Sequence, residues 1–86
     1  MPEVSRFFGI IITMYFDDHQ PSHFHARYSG EHAVIEIASL AVLRGSLPAR
    51  VYGLVVEWAF EHRSELLANW SRARNREALL PITPLG

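Results

Sequence analysis

Histidines concentrate in one short stretch of this chain of 86 residues. Four of the five lie between positions 19 and 32, and the acidic pair Asp17 and Asp18 directly precedes them. His23 and His25 stand two residues apart, so on a strand both imidazoles project from one face, with Cα atoms about 6.5 to 7 Å apart. That spacing allows both rings to bind one metal ion, with His19 or one of the aspartates as a third ligand.

Two kinds of chemistry fit these residue types. Neutral imidazole and carboxylate bind zinc, nickel, copper or ferrous iron, and the absence of cysteine excludes thiolate sites and cysteine nucleophiles. Without a metal, the two imidazoles can act as acid and base near neutral pH, while Asp18 orients one ring and Arg27 holds a phosphate. A third interpretation assigns no chemistry: the acidic pair forms a hydrated turn and the rings satisfy backbone groups. The residues leave these alternatives open.

The elements that must position these side chains are strands. Residues 7–16 are rich in β-branched and aromatic side chains and predict a first strand, which ends at the turn-forming residues 17–21. Residues 23–28 alternate polar and apolar side chains, and Ser29-Gly30 then predicts a reversal into a third strand at 33–37. A fourth extended segment at 41–44 is a further candidate strand.

Helices follow the strands. Gly45 to Pro48 interrupt the chain, and proline fits the first turn of a helix. One face of that helix carries apolar side chains at helical spacing, and a second helix is predicted over residues 65–76 unless the first simply continues. The pattern predicts an α+β fold: a three- to four-stranded, mostly antiparallel sheet in the order β-β-β-(β)-α-α, with one long or two consecutive helices packed on one face and the histidines on the other.

Length and composition limit the classes of protein. The chain has 49% apolar residues and a formal net charge of −1, which predicts a single folded domain over residues 1–86 and excludes an intrinsically disordered protein. No apolar stretch approaches the roughly 20 residues that span a bilayer, and no secretory leader pattern is present, so we expect a cytoplasmic protein. A broad basic surface is also absent, so any contact with nucleic acid must be local.

A signature runs through the first third of the chain: SRFFGI at 5–10, MYF at 14–16, DH at 18–19, Pro21 and HFHARY at 23–28. In these segments the chain resembles a small bacterial domain-of-unknown-function family, and the likeness continues over nearly the full length. Ser22 stands where relatives commonly have a second proline. The resemblance implies a gene neighbour that encodes a second very small protein, an arrangement that has prompted proposals of toxin-antitoxin pairing.

We therefore expect a component of a toxin-antitoxin-type two-gene system whose histidine face acts on nucleic acid, with His23, His25, Arg27 and Asp18 as catalytic residues. One alternative is a non-catalytic interaction module that binds its gene neighbour or a second copy of itself, because so short a chain leaves one sheet face uncovered. The other is a protein that binds a divalent ion such as zinc or nickel through His19, His23 and His25. Whether the protein is an enzyme, and on which substrate, stays open.

Overall fold

The computed structural model describes residues 3–16 and 18–86. Within them, five strands precede two helices, so the α+β class predicted from the sequence is confirmed. Neither helix of the described chain combines the length and the apolar character required to cross a membrane. The elements are β1 Glu3–Phe7, β2 Ile10–Thr13, β3 His23–Tyr28, β4 Glu31–Glu36, β5 Val42–Gly45, α1 Ala49–Glu61 and α2 Arg63–Arg74.

The strands form one antiparallel sheet in the order β1-β2-β3-β4-β5, so each strand pairs with its neighbour in the chain. The prediction of three to four strands was therefore wrong in number. Residues 7–16, expected as one strand, contain the end of β1, a reversal at Phe8 and Gly9, and β2. The backbone φ angles of Phe8 and Gly9 are +50° and +79°, the left-handed values that a two-residue hairpin turn requires.

The second hairpin lies where the sequence predicts it. Ser29 and Gly30 also have positive φ angles, +47° and +84°, and join β3 to β4. Because this turn has only two residues, Tyr28 pairs with Glu31, and every later pair along the two strands follows from that register. This register places His25 directly opposite Val34 of β4.

One face of the sheet is buried under the helices. On β3, Phe24 and Ala26 are fully buried, and the Phe24 ring lies edge-on to Trp58 of α1 with ring centres 6.0 Å apart. Leu66 of α2 joins the same hydrophobic core. The two helices are separated by a single residue, His62, so the choice that the sequence left between one helix and two is resolved in favour of two.

The C-terminal segment closes the edge of the sheet at β1. The backbone N–H of Ile82 donates to the carbonyl oxygen of Val4 at 2.7 Å, and the indole N–H of Trp58 donates to the carbonyl oxygen of Thr83 at 2.8 Å. The side chains that alternate with the core residues of β3 point to the other face of the sheet, which we call the open face: His23, His25 and Arg27 on β3, together with their register partners on β4.

Candidate metal centre

Strand β3 and the loop before it bring a carboxylate and two imidazoles together. His23 and His25 occupy alternate positions of β3, and their ring centres are 5.3 Å apart on the open face. Asp18 belongs to the loop between β2 and β3, and its Oδ2 lies 3.1 Å from Nε2 of His23 and 3.1 Å from Nε2 of His25. A single oxygen thus faces both rings.

This geometry matches a metal site. The three potential ligand atoms, one each from Asp18, His23 and His25, all lie within 4.8 Å of one another. Ligands about 2.0 to 2.1 Å from a tetrahedral zinc ion would be roughly 3.3 Å apart, close to the two contacts of 3.1 Å made by Asp18. The residue types and these two contact distances therefore fit a divalent transition-metal ion.

The remaining nitrogen of His23 is fixed by the backbone. His23 Nδ1 lies 2.8 Å from the carbonyl oxygen of Pro21, which can only accept a hydrogen bond, so Nδ1 carries the proton in the neutral ring. The His23 ring also packs against the Trp70 ring of α2, with ring centres 5.2 Å apart. Both contacts hold Nε2 toward Asp18.

His25 is held on two sides as well. Its Nδ1 lies 3.0 Å from Nε2 of His32 on β4, and the Tyr15 ring meets it edge-on with ring centres 4.7 Å apart. Burial lowers the pKa of His25 below its ordinary value, although the hydrogen bond and charge of Asp18 oppose that change. The neutral ring, which is the form that binds a metal, is therefore favoured.

The three ligand atoms open onto a cleft of about 310 Å³. Its far wall is formed by Leu43 and Arg44 of β5, and its floor includes Val34 of β4. The Arg44 side chain is exposed and forms no hydrogen bond or ion pair with any other residue that the structure describes. An uncommitted cation therefore borders the site.

The other predicted site residues lie near the cluster but outside it. His19 is exposed and lines clefts on both sides of Asp18, and it is not among the three converging ligands. Arg27 shares the open face with His25, and it borders a different cleft of about 390 Å³ together with His32. Asp17, the other aspartate considered as a ligand, lies outside the described residues.

Two residues of the site were not assigned roles from the sequence. His32 directly contacts His25, and the two-residue turn at Ser29 and Gly30 contains the signal, since it sets His32 opposite Arg27 and diagonal to His25. Arg44 stands on β5, whose pairing with β4 includes a shift in register between Val34 and Ile35. No pattern in the sequence indicates that shift.

Comparison with known proteins gives a family and no relative of known activity. The model of a family described as "Domain of unknown function (DUF4160)" matches residues 9–71, which include β2 to β5, the Asp18 loop, all of α1 and most of α2. No curated protein and no solved structure matches the chain significantly.

Proposed function

Because the chain belongs to the domain of unknown function family DUF4160, a name that implies no ligand, we propose from the chemistry of the site that the protein binds one divalent transition-metal ion. Asp18 Oδ2, His23 Nε2 and His25 Nε2 are the ligands. Zinc and nickel suit this mixture of imidazole and carboxylate, and copper and ferrous iron are also compatible with it.

The observation that carries the proposal is the pair of contacts made by His23. Its Nδ1 donates to the Pro21 carbonyl, so in the neutral ring Nε2 has a lone pair that faces Asp18 Oδ2 at 3.1 Å. Two lone pairs at that distance repel each other unless a cation lies between them. A metal ion bound by both atoms supplies that cation, and a second proton on His23 is the alternative.

His25 favours the metal over the proton. Its Nε2 faces the same carboxylate oxygen at the same distance, so two additional protons would be needed to replace one ion if His25 also donates its Nδ1 proton to His32. Histidines that bind metals commonly donate their second N–H to an acceptor, which fixes the ring orientation. The backbone carbonyl oxygen of Pro21 is such an acceptor for His23, and Nε2 of His32 can be the acceptor for His25.

Three protein ligands leave part of the coordination sphere open. Structural zinc sites are usually closed by four protein ligands, whereas sites that act on a substrate keep a position for water or for the substrate. One carboxylate and two neutral imidazoles also leave a divalent ion with a net charge of about +1. The site is thus suited to bind an exchangeable, anionic ligand from the cleft.

Metal titration of the full chain tests the proposal. After chelator treatment, we expect one equivalent of zinc or nickel to bind per chain in calorimetry and to remain after dialysis. His23→Ala and Asp18→Asn each remove a ligand, so affinity should fall at least tenfold. His19→Ala is the matched control, because it removes a neighbouring histidine outside the converging set and should leave affinity within about twofold. Unchanged binding in both ligand variants would refute the site.

A second candidate is metal-free acid–base chemistry on nucleic acid, as a component of a toxin-antitoxin-type system with the protein encoded next to it. The favouring observation is the chain of contacts from Asp18 through His25 to His32, which ends in the cleft that also contains Arg27. Arg27 is exposed and makes no ion pair within the described part of the chain, so its charge is available to a phosphate. In this second candidate the hydrogen bonds run in the opposite direction. The Nε2–H of His32 donates to Nδ1 of His25, and the Nε2–H of His25 donates to Asp18 Oδ2.

The two candidates predict different results for Arg27→Ala. In a growth assay with and without the neighbouring gene, the second candidate predicts that the chain arrests growth alone, and that Arg27→Ala relieves the arrest. Arg27→Ala should not change metal binding, because Arg27 lies outside the metal cleft. Growth arrest that persists in Arg27→Ala and disappears in His23→Ala would favour the metal site.

A further inference from the structure

We propose that the open coordination positions of the metal face a phosphate-binding subsite anchored by Arg44, so that the protein binds a small compound with a terminal phosphate group. The inference rests on the proposed metal site and adds its ligand class. It follows from where β5 places Arg44, from the charge balance of the cleft and from the shape of the guanidinium group.

The sheet register places Arg44 beside the metal ligands. His25 on β3 pairs with Val34 on β4, and Val34 pairs with Arg44 on β5, so the three residues form one row across the sheet. Directly paired residues project to the same face. With strands about 4.8 Å apart, the Cα atoms of His25 and Arg44 are roughly 10 Å apart, a separation that a phosphate between a metal ion and an extended arginine side chain would span.

The cleft has room for such a ligand and an apolar wall beside it. Its volume is about 310 Å³, and Leu43, which is 45% exposed, stands next to Arg44. This volume is at the small end of the range for sites that bind small molecules. A phosphate group near the metal would leave the organic part of a small ester against Leu43 and Val34.

The charges of the cleft favour a dianion. Asp18 is the one carboxylate among the described residues that line it, and the proposed metal ion would more than neutralise that charge. Arg44 adds a second positive charge, and it has no carboxylate partner within residues 3–16 and 18–86. A net charge of about +2 in a partly enclosed cleft attracts a phosphate dianion more strongly than a singly charged group.

Geometry distinguishes phosphate from carboxylate. The planar guanidinium group of arginine donates two parallel hydrogen bonds to two oxygens of one anion. A terminal phosphate has a third oxygen that remains free to bind the metal ion. A carboxylate has only two oxygens, so the metal ion and the forked contact of Arg44 would compete for them.

The experiment uses the full chain loaded with cobalt, a paramagnetic ion whose visible absorption reports metal binding. Phenyl phosphate is titrated, and its ³¹P line broadening gives the dissociation constant. We expect Arg44→Gln to bind cobalt as tightly as the unmodified chain and phenyl phosphate about tenfold or more weakly, since a charge-assisted contact is lost. The affinity of Arg44→Lys for phenyl phosphate should be intermediate, because lysine keeps the positive charge but cannot donate the two parallel hydrogen bonds of a guanidinium group.

The matched control is Arg50→Gln. Arg50 is an exposed arginine of α1 that borders a separate cleft, so its replacement should change neither constant. A second arm uses methyl phenyl phosphate, a diester with one charge less, and we expect it to bind more weakly than the monoester. Equal binding of the two esters would overturn the choice of a terminal phosphate.

The remaining outcomes separate this inference from the metal site. If cobalt binds and Arg44→Gln binds phenyl phosphate as tightly as the unmodified chain, the subsite is refuted and the metal site stands. If calorimetry shows that the metal-free chain binds phenyl phosphate equally well, the ion has no part in binding and the inference fails. If the absorption shows no cobalt binding, the metal site and the subsite fail together, before any phosphate is added.

Discussion

The two faces of strand β3 differ in what holds their side chains in place. On the covered face, Phe24 and Ala26 are fully buried in a hydrophobic core that includes residues of both helices. On the open face, His23 and His25 are fixed by polar contacts with a loop carboxylate, a loop carbonyl and a histidine on the next strand, and the His23 ring also packs against Trp70. Adjacent residues of one strand thus have different surroundings: the covered face contributes to the core, and the open face carries the groups that we propose bind a metal ion.

This difference predicts that the largest loss of stability comes from the covered face. Phe24→Ala removes a fully buried ring that contacts Trp58, and such truncations cost about 3 to 5 kcal/mol. Chemical denaturation of the full chain measures the change. The matched control on the same strand is Arg27→Ala, which is exposed and should change the free energy of unfolding by less than about 0.5 kcal/mol. Equal losses in the two variants would remove the distinction between the faces.

A smaller loss is expected where the covered side depends on hydrogen bonds. Asn69 of α2 is 1% exposed, and its amide donates to the carbonyl oxygen of Leu80 at 2.8 Å and accepts from the Leu80 N–H at 3.0 Å. Asn69→Ala removes both hydrogen bonds, at a cost of about 1 to 3 kcal/mol for the pair. Asn75→Ala, an exposed asparagine just after α2, is the control.

Thermal denaturation of both asparagine variants provides the measurement. Because Asn69 connects α2 to the C-terminal segment, its loss should also increase proteolysis within residues 77–86. A stable Asn69→Ala variant with unchanged proteolysis would show that the two hydrogen bonds of Asn69 are not needed to hold the C-terminal segment in place.

The sequence predicts the second hairpin and the shared face of the histidines because local rules determine both. Alternation along residues 23–28 sets the face, and the left-handed turn at Ser29 and Gly30 sets the reversal. The first hairpin was missed because Phe8, an apolar residue in an apolar stretch, occupies the turn and is 63% exposed. Composition favoured one continuous strand there, and only the glycine at position 9 opposed it.

The arrangement of the site is only partly predictable. The position of Asp18 depends on how the loop between β2 and β3 folds back over the sheet, and that loop has no periodic pattern. The proximity of His32 to His25 follows from the two-residue turn, so the register alone could have indicated it. Arg44 could not be placed, because the shift in register between Val34 and Ile35 decides which residue of β5 stands beside the cleft.

The smallest expected effect is acid sensitivity that originates on the open face of the metal-free protein. Burial lowers the pKa of His25 below its ordinary 6.5; Asp18 opposes the change, and His23 and His32 add to it. Between the ordinary and the lowered value, the unfolded chain binds more protons than the folded one. The contribution of His25 to the free energy of unfolding is therefore constant above about pH 6.5 and decreases as the pH falls below that value.

Urea denaturation in the presence of a chelator, from pH 7.5 to 5, should show this slope, as a fraction of the roughly 1.4 kcal/mol per pH unit that one full proton would give. His25→Gln replaces the titrating ring with a neutral side chain and should flatten the curve, whereas His62→Gln at the junction of the two helices is the control for loss of a histidine. An unaltered slope in His25→Gln would assign the acid sensitivity to another group. A flatter slope would show that the open face affects stability through the protonation of one partly buried ring, while the covered face acts through packing at every pH.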